Sequence, residues 1–279
     1  MKVLVTGVSG QLGFDVMREL LARGIEAKGA SRSDFSLTDF AAMRRFVEAH
    51  RPTAIIHCAA YTAVDKAEDE PELCREVNAA ATGELARLAK EIGAKFLYIS
   101  TDYVFPGTGE DFYEPADEKA PCNVYGESKL LGEEAAREAL DELFIVRISW
   151  VFGENGKNFI KTMLRLAETH EELSVVGDQI GSPTYTRDLA RLLADMIVTE
   201  KYGVYHATNE GTCSWAELAA EALRCSGKKT RVKAIKTEEY PTKAKRPKNS
   251  RLSKKCLDDA GFSRLPDWRD AVARYVALI

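Results

Sequence analysis

Short apolar runs alternate along the first half of the chain with longer stretches in which apolar positions recur every three or four residues. Lys2 to Val5 is one such run, closing on Thr6-Gly7. From Gln11 to Arg23, Leu12, Val16, Leu20 and Leu21 share a stripe that ends at Gly24, which predicts a strand followed by an amphipathic helix. The same pattern predicts strands at 25–30, 54–58, 95–100 and 143–151, and helices over 38–49, 72–92 and 123–139. Strands that alternate with helices in this way need a parallel sheet covered on both faces. Right-handed crossovers then make the fold class α/β, with a doubly wound parallel sheet.

After Gly153 the rhythm changes. Helical periodicity at 158–169 precedes a β-like stretch at 173–176 and a Gly177-Asp178 turn. A helix over 187–199, a strand at 203–207 and a helix over 215–224 capped by Ser214 follow. Lys228 to Arg251 is rich in Lys, Arg, Thr and Pro and has little periodicity, so it reads either as a solvated loop or as a segment closing over an anion. The expected organisation is a larger domain, residues 1–152 with about 183–210, and a smaller, discontinuous one, about 153–182 with 211–279. A substrate cleft would lie between them.

Charge narrows the partners. Lys+Arg 39 against Asp+Glu 43 gives a net charge of -4, which argues against nucleic acid and anionic membranes, whose binding needs clustered cations. A small phosphorylated ligand needs only one well-placed cation. No run of about 18 apolar residues occurs, and the start runs straight into a strand pattern without a signal-peptide layout. The six Cys form no C-x-x-C pair and read as reduced thiols, so a cytoplasmic protein without a metal site is expected, monomeric or homodimeric.

The first strand-to-helix turn, Thr6-Gly7-Val8-Ser9-Gly10-Gln11-Leu12-Gly13, carries three glycines at a spacing of three. There the backbone can approach a pyrophosphate while a helix N-terminus offers N–H donors, so Gly7, Ser9, Gly10, Gln11, Leu12 and Gly13 are cofactor-binding candidates. A residue at the end of the second strand reports on the ribose. An acid would bond a 2′-hydroxyl, whereas an Arg pairs with a 2′-phosphate. Here stand Ser31 and Arg32, which favours NADPH, while Asp34 leaves NADH open.

Tyr125 and Lys129 lie four residues apart, on one face of a helix. A phenol with an ordinary pKa near 10 is a poor acid at neutrality, and a nearby cation stabilises its anion. The fourth strand ends in Ser100-Thr101-Asp102-Tyr103, where ligands gather in open parallel sheets, so Thr101 can donate to a substrate carbonyl that Tyr125 protonates. Ala59, Ala60 and Tyr61, ending the third strand, would let a flat cofactor ring pass. Asn78 reads either as an inward polar group ordering water or a lysine contact, or as the cap of a helix kink.

Together, T-G-x-x-G-x-x-G, the strand-end Thr and Y-x-x-x-K resemble the extended short-chain dehydrogenase/reductases, which have a Rossmann-type fold. Residues 59–68, 100–105, 125–129 with Gly132-Glu133, 149–153, 156–159, 178–184 and 246–250 are similar to the dTDP-4-dehydrorhamnose reductase family, over nearly the whole chain. The resemblance implies reduction of the C4 ketone of a dTDP-4-dehydro-6-deoxy sugar to dTDP-L-rhamnose, with hydride from NADPH or NADH. It implies Tyr125 as proton donor, Lys129 as its pKa-lowering partner and a ribose contact, and Thr101 as carbonyl donor. Thr62, Val64, Asp102, Tyr103, Trp150, Asn158 and Arg246 would face the sugar nucleotide, and Trp150 has core packing as its alternative.

Ser36-Leu37-Thr38-Asp39 departs from the Asp-Ile or Asp-Leu pair of many relatives, which weakens or replaces an adenine contact. Some relatives dimerise through a metal held by carboxylates, and Asp15 alone does not make such a site. Other readings are a reductase of a neighbouring dTDP-4-keto sugar and an epimerase or dehydratase recycling NAD. A non-catalytic subunit like the regulatory one of methionine adenosyltransferase is a further alternative.

Overall fold

In a computed structural model describing all 279 residues, β1 (Lys2–Thr6), α1 (Gln11–Ala22), β2 (Glu26–Ala30), α2 (Phe40–His50) and β3 (Ala54–His57) open the chain. The short helices α3 (Val64–Ala67) and α4 (Pro71–Arg75) lead through a π-helical turn, Glu76–Ala80, into α5 (Ala81–Glu91). Next come β4 (Lys95–Thr101), α6 (Val124–Ala139) and β5 (Leu143–Ile148). The second half holds β6 (Val151–Phe152), α7 (Phe159–Leu166), β7 (Glu172–Val176), β8 (Ile180–Gly181), β9 (Thr184–Tyr185), α8 (Thr186–Ile197) and β10 (Gly203–His206). The chain ends with β11 (Asn209–Glu210), β12 (Cys213–Ser214), α9 (Trp215–Cys225), β13 (Arg231–Ile235), β14 (Asn249–Ser250), α10 (Lys255–Asp259), β15 (Leu265–Asp267) and α11 (Trp268–Val276).

Six strands form one parallel sheet in the order β10-β5-β4-β3-β1-β2. The order reverses between β1 and β3, which opens a crevice at their carboxyl ends. Every residue of β3 and β5 is buried, because helices cover both faces. On one face Val3, Val5, Ile56, Leu97 and Phe144 pack with Val16 and Leu20 of α1 and Leu189 and Leu193 of α8. On the other, Leu4, Ile55, Phe96 and Ile145 meet Val47, Leu85 and Leu88. Each such side chain contributes about 1.5–3 kcal/mol by leaving water.

Three segments differ from the sequence expectation. The helix expected over 72–92 is broken by the π-helical turn around Asn78. The strand expected at 143–151 stops at Ile148, since Trp150 takes a left-handed φ of 50° and β6 then pairs with β9 outside the main sheet. The basic stretch 228–251 is not a plain loop: β13 pairs with β7 and β14 with β8.

Inside the larger sheet lies one fully buried ion pair. Arg147 donates from Nε and Nη2 to the two oxygens of Glu133 at 2.8 and 2.7 Å, and Ser100 donates to the same carboxylate at 2.6 Å. Another guanidinium nitrogen reaches the Pro115 carbonyl at 3.0 Å. Removing one member of such a pair strands a charge in a low-dielectric interior. Glu133→Gln is therefore expected to lower the unfolding free energy by about 3–5 kcal/mol, measured by urea titration. A change below about 1 kcal/mol, the range of an exposed pair, would show that the pair is not the support described.

Candidate active site

Helix α6 positions the central phenol. Its N-cap is Asn123, whose Oδ1 accepts from the Gly126 amide at 2.8 Å, while Glu68 accepts from Val124 N at 2.9 Å. A Cβ on Gly126 would lie 2.3 Å from the Tyr103 carbonyl oxygen, and one on Gly132 2.3 Å from that of Asn78. These two glycines let the helix press against the backbone after β4 and against the π-helical turn. Tyr125 consequently meets Tyr103 edge to face, with ring centroids 5.6 Å apart. Burial pushes the Tyr125 phenol well above its ordinary range, and the hydroxyl of Thr101 beside it opposes the shift.

Lys129 is 2% exposed. Its Nζ donates to the Ile99 carbonyl at 2.7 Å and sits 4.1 Å from the centre of the Tyr98 ring. Burial pulls the ammonium down to about 7, against the attraction of Glu133. Burial outweighs every other influence on the Tyr125 phenol here, and the Lys129 ammonium is anchored on β4.

The glycine turn fits a dinucleotide phosphate. Gly7 has φ +72°, and a Cβ there would meet Ala59 N at 2.7 Å, so the turn and the end of β3 touch backbone to backbone at the crevice. A Cβ on Gly13 would lie 2.4 Å from Gly7 O, which holds α1 against the turn. Gly10 is different: only Gly7 O, at 3.2 Å, is near its Cβ position, so the space before it is open. Helix α1 has no side-chain cap and no acid in its first turn, which leaves N–H donors available. Ser9 is exposed, whereas the Leu12 side chain belongs to the core, leaving Leu12 only its backbone to offer.

At the ribose end, Asp34 is occupied by its own loop. It accepts from the Ser31 amide and hydroxyl at 2.8 and 2.9 Å, which hold its pKa down. Arg32 is exposed and makes no ion pair or hydrogen bond, so its guanidinium is free for a phosphate. Ala59 and Ala60 are half-buried beside the turn.

Several candidates have structural duties instead of open faces. Asn78 is 1% exposed. Its amide accepts from Tyr61 N at 2.8 Å and donates to Tyr61 O at 3.0 Å and to Ser128 Oγ at 2.9 Å, so it orders the β3 end and α6 and makes no lysine contact. The Tyr61 hydroxyl turns away to Glu70 at 2.8 Å. Asp102 is 4% exposed and bonded by the Thr101 hydroxyl at 3.0 Å; burial raises its carboxyl to about 6. Asn158 caps α7 through Lys161 N at 3.0 Å and also donates to Tyr275 and Gln11. It thereby joins α7 to the start of α1 and to α11. Asp15, the carboxylate considered for a metal, is bonded by Thr186 and Arg18.

Trp150 packs within the second half of the chain. The indole is half-buried, stacks on Trp215 at 3.8 Å and packs against Gly181. A left-handed φ in so bulky a residue costs on the order of 1–3 kcal/mol, and such strain clusters at functional sites. Residues 243–246 cross over the start of α3. Arg246 pairs with Asp65, Ala244 N bonds Asp65 at 3.0 Å, and Asn123 donates to Lys245 O at 2.8 Å. The Arg246 guanidinium also opposes the rise of the Tyr103 phenol to about 12, which burial causes. Thr62 and Val64 flank the start of that helix. Beside this strap opens a cavity of about 670 Å³ lined by Gly107, Asp178, Thr237, Lys245, Arg246 and Lys248 among others. The sequence presents Asp65, Gly126 and Ser128 only as members of motifs and Asn123 only as a helix start. The glycine inside a helical pattern and the Asn before it were the available signals.

The family model described as RmlD substrate binding domain matches residues 1–279. Spore coat polysaccharide biosynthesis protein SpsK of Bacillus subtilis is 41% identical over 99% of this chain and 96% of its own length. The dTDP-4-dehydrorhamnose reductase of Escherichia coli is 40% identical over 98% of this chain and 96% of that one. The crystal structure of dTDP-4-dehydrorhamnose reductase from Bacillus anthracis in complex with NADP superimposes with a TM-score of 0.97 at 40% identity, covering 100% of both chains. A glycine turn at the crevice, a Thr101–Tyr125–Lys129 cluster and these likenesses along the sequence have one reading: the chain belongs to the RmlD substrate binding domain family, that of the dTDP-4-dehydrorhamnose reductases.

Proposed function

We propose that this protein is an oxidoreductase that uses NADPH to reduce the C4 ketone of dTDP-4-dehydro-6-deoxy-L-mannose to dTDP-L-rhamnose. The observation that carries the reading is the half-buried phenol of Tyr125 beside Thr101, together with an uncapped N-terminus of α1 and an unpaired Arg32. NADPH, when bound, supplies the hydride. A raised pKa keeps the Tyr125 hydroxyl protonated, as a group that gives its proton to a ketone oxygen must be. With its hydroxyl rotated from Asp102 to the substrate, Thr101 donates a second hydrogen bond to that oxygen, and the Lys129 ammonium favours the phenolate left behind. Arg32 pairs with the 2′-phosphate, and Gly7, Gly10 and the first amides of α1 take the diphosphate.

In this reading residues 1–152 with about 183–210 hold the cofactor, and the remainder holds the nucleotide sugar, whose diphosphate would meet Lys245 and Arg251 in a cavity that Glu110, Asp178 and Glu238 also line. Tyr103, Trp150 and Arg246 line the sugar's path. No helix is long and apolar enough to cross a membrane. A cytoplasmic setting agrees with six cysteines that form no disulfide.

NADPH oxidation driven by the 4-keto sugar, with the product's stereochemistry read by NMR, tests the assignment. Tyr125→Phe is expected to cut kcat by at least ~10²-fold with NADPH binding intact; an unchanged kcat would exclude Tyr125 as the acid. Arg32→Ala should raise KM for NADPH far more than for NADH, and equal effects would dismiss the 2′-phosphate contact. Because the Lys129 ammonium titrates at about 7, kcat/KM for reduction should fall as pH rises through that value. A profile flat from pH 6 to 9 would contradict a role for its charge.

A further inference from the structure

The loop between β6 and α7, residues 153–158, reaches back onto the glycine turn. Asn155 Nδ2 donates to the carbonyls of Ser9 and Gly10 at 2.8 and 3.2 Å. The loop is itself fixed. Arg18 forks onto Glu154 at 2.9 and 3.1 Å, and Lys161 Nζ holds the carbonyls of Glu154 and Gly156 at 2.6 and 3.1 Å.

A trans peptide is planar, so its C=O and N–H point in opposite directions. The Ser9 carbonyl shares its plane with Gly10 N, which donates to Gly7 O at 2.9 Å. The Gly10 carbonyl shares its plane with Gln11 N, the first amide of α1 and one with no helical partner. By pulling both carbonyls one way, Asn155 turns the Gln11 amide the other way, away from the loop.

We infer that Asn155 is a positioning residue for the cofactor diphosphate: it acts through the Gly10–Gln11 peptide, presenting that amide to the phosphate before any ligand arrives. The inference rests on the reading that the glycine turn takes the diphosphate of NADPH. It makes a loop outside the nucleotide-binding turn part of the phosphate site, and it lowers the ordering that binding would otherwise require.

The test is binding without turnover, by calorimetry, of NADP⁺, NAD⁺ and 2′-AMP to the full-length wild type, Asn155→Ala and Asn155→Asp. The Asp variant keeps the shape and loses both donors. In both variants Kd for NADP⁺ and NAD⁺ should rise by the same factor, about tenfold for a lost hydrogen-bond pair. Kd for 2′-AMP, which has no diphosphate, should stay within twofold of wild type. In kinetics, KM for NADPH should rise with kcat at saturation unchanged. An NADP⁺ Kd within twofold of wild type in both variants would overturn the inference, as would an equal weakening of 2′-AMP. Failure of the wild type to bind NADP⁺ would instead overturn the cofactor reading, and this inference with it.

Discussion

No side chain fits where α6 meets the backbone after β4. The 2.3 Å between a Cβ on Gly126 and the Tyr103 carbonyl oxygen is a contact no larger residue survives, and the reactive geometry hangs on it. That approach carries Tyr125 to the strand ends, where Thr101 and Tyr103 wait, and sets Lys129 one turn further along against Ile99. The same principle operates at Gly7, whose backbone touches Ala59 across the point where strand order reverses. Two backbone-to-backbone contacts thus fix where the phenol stands and where a dinucleotide can lie, and both are steric before they are chemical.

The polar residues around these contacts work as fasteners. Asn78 grips both backbone groups of Tyr61 and the hydroxyl of Ser128, which ties the end of β3 to α6. Glu133, one turn beyond Lys129, is held by Arg147 and Ser100 and keeps a negative charge beneath the ammonium. Buried polar groups are costly unless satisfied, and here the satisfied ones join strands to α6.

Much of the larger lobe was legible in the sequence, because strands covered on both faces are unbroken apolar runs, as Ala54 to His57 shows. The placement of Tyr125 and Lys129 on one helix was legible through their spacing, and that of Thr101 at the end of β4 through the apolar run before it. Asn78, Asp102 and Asn158 were not. Asn78 and Asn158 find partners in other elements, at Tyr61, Ser128 and Tyr275, and Asp102 takes its neighbour's hydroxyl only because the end of β4 is buried, so no local pattern encodes these pairings. Nor does any periodicity announce that Trp150 turns left-handed and ends β5, or that the charged Arg231–Ile235 is an edge strand. The strap at 243–246 was legible as basic, but its carboxylate partner Asp65 was read only as part of a motif.

Helix α1 begins at a glycine with neither a side-chain cap nor an acid in its first turn, whereas α2, α6, α7, α9 and α11 are capped by Asp39, Asn123, Asn158, Ser214 and Asp267, and the uncapped α8 carries Asp188 in its first turn. A helix end left unsatisfied is a small deficit in the folded state that a bound anion removes. Linkage converts this into an environmental dependence: a ligand at 100 times its Kd adds about 2.7 kcal/mol to the folded state. The durability of this chain is therefore a property shared with the surrounding dinucleotide pool, and it would decline where that pool is depleted.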